Sequence, residues 1–300
     1  MDRRKFLTAG AGLAPALATG SMLNAATSWA QTSPNPRKEA NMPNAQHDHN
    51  SGDRAGGKAR VLVTGSADGL GYATAKTLLA QGHDVVVHER SQARLSAVKE
   101  LVDQGAVATI GDLSDLAQIR DLASQVNDIG PMDAVIHNAG VLSGSQVLVV
   151  NVVAPYLLTA QIQRPKRLIY LSSSMHRGGR ASLDGMDWTG RTSTGTYSDS
   201  KLFVTMLSAA VARRWPEVLS NAVDPGWVPT RMGGPGAPDD LRLGHVTQAW
   251  LATSDDPKAL ISGSYWHHQR REQTNPAVND IRFQDLLLAE LARATGTTLT

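Results

Sequence analysis

Cysteine is absent from all 300 residues. Disulfides, thiolate nucleophiles and cysteine-ligated metal centres are therefore excluded, and any redox chemistry has to be carried by a borrowed cofactor. An excess of charge of either sign is also missing. The formal net charge is +2, and no basic block interleaved with aromatic residues occurs, so the electrostatic footprint of a nucleic-acid-binding protein is lacking. Long apolar runs are lacking too. The most apolar N-terminal stretch is interrupted by Pro15 and several glycines, too short and too weak for a stable membrane span. What is present is an ordinary 41% of hydrophobic residues, enough for a sizeable core.

The first thirty residues have a basic start, a mildly apolar Ala/Gly/Leu run and a small-x-small ending at Ser28-Trp29-Ala30. That is the layout of a signal peptide over 1–30. Arg3-Arg4 followed by Lys5-Phe6-Leu7 resembles the twin-arginine export signal, which implies a periplasmic or exported protein. Met42 offers an alternative start that would leave the product in the cytoplasm. Residues 31–58 are polar and rich in Pro, Gly and Asn, as a flexible linker is, and His47 and His49 read as solvated within it. No set of carboxylates and imidazoles reads as a metal site.

From Ala59 the pattern changes. "ARVLVTG" is a β-branched run, followed by a glycine-rich turn and then "YATAKTLLAQG" with apolar residues at helical spacing. "DVVVHE" and "SQARLSAVKELVDQG" repeat the cycle as strand and helix, and "AVATI", a helix over roughly 114–127, and "DAVIHNAG" continue it. Such alternation implies right-handed βαβ crossovers, hence an α/β, Rossmann-like doubly wound parallel sheet forming a single domain over 59–300. In such sheets ligands bind outside the carboxyl ends of the strands.

The turn "TGSADGLG" sets Gly65, Gly69 and Gly71 between the first strand and its helix, where backbone amides favour a pyrophosphate. This G-x-x-x-G-x-G spacing resembles that of the short-chain dehydrogenase/reductase family. Other landmarks of the family follow in order: "GDL", "HNAG", "LSSSMH", "YSDSK" and "DPGWVPT". The last three, with "ISGSYW", resemble the retinol-dehydrogenase-like and ketoreductase-like branch. The resemblance implies cofactor contacts at Gly65, Ser66, Asp68, Gly69, Leu70 and Gly71, an adenine site at Asp112 and Leu113, and a slim backbone at Asn138, Ala139 and Gly140. It further implies nicotinamide contacts at Pro225, Gly226, Val228 and Thr230, with Tyr197 and Lys201 also touching the cofactor.

Tyr197 and Lys201 are four positions apart in "YSDSK", so on a helix both rise from one face. A lysine ammonium and an oxidised nicotinamide ring would favour the phenolate and lower the tyrosine pKa from about 10. By resemblance Tyr197 is then the proton donor and acceptor, Ser173 steadies the substrate oxygen, and Asn151 anchors a water chain to Lys201. Ser173 is chosen from Ser172-Ser173-Ser174 because it stands three positions before His176. Only ten residues separate Gly140 from Asn151, so the helix carrying Asn151 is expected to be short, and no oligomeric state is carried over from the family.

The second strand ends on Glu89 and Arg90. A carboxylate there accepts ribose hydroxyls, whereas an arginine pairs with a 2′-phosphate; the chain offers both, and the H-x-R ending resembles that of NADP-using relatives, which implies NADP ahead of NAD. The Gly/Pro-rich segment 227–244 lies where relatives carry a substrate lid, with Trp227 and Met232 as candidate lining. Trp188, Trp215, Trp250 and Trp266 read as packing residues, and His267, His268, Arg270 and Arg271 as a solvated edge. The expected activity is hydride transfer between NAD(P) and an apolar ketone, aldehyde or secondary alcohol. The competing reading is a catalytically retired NAD(P)-binding sensor or scaffold, against which the intact Ser173, Tyr197 and Lys201 argue.

Overall fold

The computed structural model describes residues 57–300. The proposed signal, the linker up to residue 56, and Met42, His47 and His49 lie outside the described residues.

Strand β1 (Arg60–Val63) enters helix α1 (Gly69–Ala80) through the glycine-rich turn, and β2 (Asp84–Glu89) follows. The long helix expected next is instead a 3₁₀ coil over Gln92–Val98 and a single helical turn, α2 (Lys99–Asp103). Val98 and Leu101 are the buried residues of this stretch, so it has little apolar face to hold a full helix on the sheet. Then come β3 (Val107–Ile110), α3 (Leu116–Ile129) and β4 (Ala134–His137). A π-helical turn at Val149–Val153 continues directly into α4 (Ala154–Gln161). β5 (Arg167–Leu171), α5 (Tyr197–Arg214) and β6 (Leu219–Asp224) complete the second half. The C-terminal part adds α6 (Leu241–Gly244), α7 (Val246–Thr253), the hairpin β7 (Tyr265–His267) and β8 (Arg270–Glu272), and α8 (Ile281–Thr295).

The eight strands form one sheet in the order β3-β2-β1-β4-β5-β6-β7-β8. All neighbours are parallel except β7 and β8. Alternate residues of each strand serve opposite faces. Leu62, Val86, Val135 and Leu168 pack under α3, α4, α5 and α8, whereas Val61, Val87, Ile136 and Ile169 pack under α1 and α7. Each such side chain contributes about 1.5–3 kcal/mol relative to exposure. The edge strand β8 is exposed and charged, Arg-Arg-Glu, which blunts edge-to-edge pairing. The chain reverses its winding direction between β1 and β4, and a ligand crevice opens there. Among the described residues no helix is long and apolar enough to cross a membrane.

Candidate active site

A cleft of about 930 Å³ opens at the carboxyl ends of β1, β2, β4 and β5. The glycine turn forms its floor. Gly65 adopts φ +67°, a conformation that side chains disfavour. At Gly71 a Cβ would meet the Gly65 carbonyl oxygen at 2.2 Å and Asn138 Nδ2 at 2.5 Å, so only glycine fits. Asp68 caps α1, accepting the Gly69 amide at 2.6 Å. Gly69, Leu70 and Gly71 line the cleft and turn the amide end of α1 toward it.

The turn is tied to its neighbours by residues that sequence reasoning passed over. His88 Nδ1 accepts the Gly65 amide at 3.0 Å, and its Nε2 lies 2.7 Å from the Gly111 carbonyl. This buried imidazole is therefore neutral, and burial holds its pKa below the ordinary range. Thr64 Oγ1 accepts the amides of Asn138 and Ala139, both at 3.0 Å. Ser66 is a correction to the expected cofactor set. It is fully buried and its hydroxyl donates to the Val63 carbonyl at 2.5 Å, so it joins β1 to β2 and does not face the cleft.

Glu89, Arg90, Arg94, Asp112 and Leu113 line one end of the cleft. Glu89 accepts Arg94 Nε at 3.3 Å and the Arg90 amide at 3.1 Å through Oε2, while its buried Oε1 has no hydrogen-bond partner. Arg94 is a cleft residue that the reading of strand two missed. Asp112 is occupied locally, accepting the amide and hydroxyl of Ser114.

At the other end stand Tyr197 and Lys201. Tyr197 opens α5 because Thr196 and Asp199 form a capping box: Thr196 Oγ1 accepts the Asp199 amide at 3.1 Å, and Asp199 Oδ2 accepts the Thr196 amide at 3.0 Å. Such a cap contributes about 1 kcal/mol, and here it also fixes where the tyrosine emerges. The Lys201 ammonium lies 5.4 Å from the Tyr197 ring centroid and donates to the Leu171 carbonyl at 2.7 Å.

Ser173 caps the 3₁₀ turn Ser174–Gly178, its hydroxyl accepting the Met175 amide at 3.2 Å, and it acts on the Tyr197 hydroxyl in the direction of a lower tyrosine pKa. Ser172 lines the cleft, but its hydroxyl is spent 2.5 Å from Thr205 Oγ1 in the interior, and Ser174 is exposed. The serine triplet is thus separated by geometry.

The expected lowering of the tyrosine pKa is not what the folded chain shows. Burial pushes Tyr197 up to about 12, the Ser173 hydrogen bond opposes this, and the Asp224 carboxylate adds to it. Burial also pulls Lys201 down to about 8, against an upward pull from Asp224. Desolvation of both charged forms outweighs their mutual support.

Asn151 sits in the π-helical turn, which runs on into α4 without a break, so the helix carrying it is not the short one expected. Its Oδ1 accepts the Val141 amide at 2.8 Å, and its Nδ2 donates to the Val141 carbonyl and to Ser200 Oγ, both at 2.9 Å. The amide therefore braces the Gly140–Val141 backbone, with no hydrogen bond to Lys201. Pro225 and Thr230 line the cleft, as does Met232, whereas Gly226 and Val228 form the turn behind them. Trp227 is a second correction. It is 61% exposed, and its indole donates to the Gly233 carbonyl at 2.8 Å, outside the cleft. Trp188, Trp215 and Trp266 are buried, and Trp250 packs edge-on against Trp266 at 5.2 Å.

The solvated edge holds only for Arg270 and Arg271. His267 is partly buried with Nδ1 3.3 Å from the Asp224 carbonyl, and it stacks on His268 at 3.9 Å. The hairpin register places them against the end of β6.

Residues 59–167 match the family described as short chain dehydrogenase. An uncharacterised oxidoreductase of Emericella nidulans is 37% identical over 252 residues, covering 79% of this chain and 97% of the relative. The chain belongs to the short-chain dehydrogenase family. This short-chain dehydrogenase is also similar to a Streptomyces sp. (strain C5) protein named for daunorubicin C-13 ketoreductase, at 32% identity over 79% of the chain and 93% of that protein. Its fold matches a crystal structure of a blue fluorescent protein from a metagenomic library in complex with NADPH. The TM-score is 0.58 and the identity 23%, over 70% of the dehydrogenase and 95% of that protein.

Proposed function

We propose that this short-chain dehydrogenase moves a hydride between NADP(H) and an apolar ketone, aldehyde or secondary alcohol. The observation that carries the reading is the convergence of Tyr197 and Lys201 on one end of a cleft whose other end is the glycine turn, with Ser173 acting on the Tyr197 hydroxyl from the turn after β5. Gly65, Gly69, Leu70 and Gly71 would hold the pyrophosphate, and Arg90 and Arg94 the 2′-phosphate. The unpartnered Glu89 Oε1 fits a ribose hydroxyl donor beside them. When bound, the nicotinamide supplies or accepts the hydride.

Tyr197 holds its proton in the resting enzyme, as donation to a carbonyl oxygen requires. Ser173 orients that oxygen and steadies the charge developing on it. Lys201 places a positive charge beside the phenol, which grows in value as the phenolate forms. Met232 and Leu142 on the rim of the cleft favour an apolar substrate, and the Streptomyces ketoreductase name supports a carbonyl. The test is NADPH oxidation with a panel of apolar aldehydes and ketones, comparing wild type with Tyr197→Phe. Equal rates in the two proteins would remove this mechanism.

A further inference from the structure

Asp224 closes β6 at the level of the catalytic serine, since the Ser172 amide donates to the Val223 carbonyl at 2.7 Å. Its carboxylate is 4% exposed. Oδ1 accepts the Gly226 amide at 3.0 Å, and Oδ2 accepts the Tyr265 hydroxyl at 3.1 Å. Among the described residues the basic side chain that reaches it is the imidazole of His267, with Nδ1 3.9 Å from Oδ2. No arginine or lysine neutralises it by contact, so its charge acts outward on the groups that face it.

Those groups come from every element around it. On α5 they are Lys201, whose acceptor Leu171 is the strand partner of Val223 next to Asp224, and Tyr197 one turn before it; on β7 they are Tyr265 and His267. From the turn after β5, His176 stacks tilted on Tyr265 at 4.5 Å and Arg177 lies 5.6 Å from the Tyr265 ring. Arg177 is itself paired to Glu272 on β8 at 2.7 Å. Asp239 approaches the Gly226 side of the turn. Of these, Lys201 is the deeply buried cation whose own hydrogen bond goes to the neutral Leu171 carbonyl.

We propose that Asp224 is a positioning residue for proton transfer: its buried carboxylate, held by Tyr265 and the Gly226 amide, keeps the Lys201 side chain charged beside Tyr197. The role rests on the reading of Tyr197 and Lys201 as the proton-handling pair. A negative charge nearby makes every proton on that pair harder to remove, whichever group releases it first. Asp224 thereby offsets the desolvation that acts against the ammonium. Without it, less of Lys201 would be charged near neutral pH, and the developing phenolate would have weaker support.

The decisive measurement needs no turnover: the Lys201 midpoint, followed by NMR of the full chain labelled at lysine Cε and assigned with Lys201→Met. Asp224→Asn keeps the acceptor for the Gly226 amide, removes the charge, and turns the Tyr265 hydroxyl from donor to acceptor of the new amide NH2. It should lower the midpoint by about one pH unit, and Asp224→Glu should return it toward wild type. Asp224→Ser carries the same expectation should the Asn variant fail to fold. An unmoved midpoint in a variant with a wild-type-like spectrum overturns the proposal. The alkaline limb of kcat/KM for ketone reduction should shift down in step. Absence of turnover in wild type would count against the proposed function while leaving the NMR midpoint to decide the role of Asp224.

Discussion

The Lys201 ammonium lies 5.4 Å from the centroid of the Tyr197 ring, yet its hydrogen bond goes to the Leu171 carbonyl. The lysine is thereby anchored to the sheet, and the helix brings the tyrosine to it. A cation held this way supports charge on the phenol without being consumed by it.

Tyr197→Phe removes the proton and leaves the cleft wall intact. It should reduce kcat for ketone reduction by about 10²–10⁴-fold, with NADPH affinity changed by less than a few-fold. Stopped-flow turnover and fluorescence titration of NADPH check the two halves separately.

Ser172 and Ser173 are chemically identical neighbours with different fates. Ser173→Ala should cost about 10²–10³-fold in kcat, because its hydroxyl meets that of Tyr197. Ser172→Ala should instead lower stability by about 1 kcal/mol, since its hydroxyl is spent on Thr205. Equal losses of kcat in both variants would contradict this assignment.

Arg94 is held over the cleft by Glu89. Arg94→Ala should raise KM for NADPH about tenfold or more and leave KM for NADH nearly unchanged, because only the 2′-phosphate loses a charged partner. A parallel rise for both cofactors would assign Arg94 a purely structural role.

His137, at the end of β4, is buried against Tyr170 and Thr159, with ring centroids 4.7 Å apart and an unpartnered Nδ1. Burial pulls its pKa from 6.5 down to about 3. The unfolded chain therefore binds this proton below about pH 6.5, while the folded chain refuses it until about pH 3. Stability tied to His137 is present above the unfolded value and is lost as pH falls through that window. Urea titrations at pH 7 and pH 4.5 should show wild type losing about 2–3 kcal/mol more than His137→Leu.

The N-terminal reading has a direct check in the mass of the mature chain from its native host. A start near Gln31 is expected for the exported protein, and a start at Met42 would point to a cytoplasmic one.

Much of the fold was legible because its signals are local. The βα alternation, the glycine turn and the Tyr197–Lys201 offset each depend on residues within a turn or a strand of one another, and each stands where expected. The helix after β2 failed because its apolar pattern was weak, and what remained was decided by contact with the sheet. Ser66, His88 and Thr64 bond across 3, 23 and 74 residues, and it is the family resemblance that implies a cofactor contact at Ser66. Their duty follows from which strand ends meet.

By itself, then, the sequence determined the βα alternation, the family and the candidate groups for its chemistry, since periodicity and motif spacing are written along the chain. The tertiary structure alone decided which serine hydroxyl is spent in the interior, that Asn151 braces Val141, that Asp224 ends β6 next to the strand partner of the residue anchoring Lys201, and which way the phenol and ammonium titrate. Those outcomes depend on desolvation and on charges brought together from distant strands, and neither exists until the sheet has assembled.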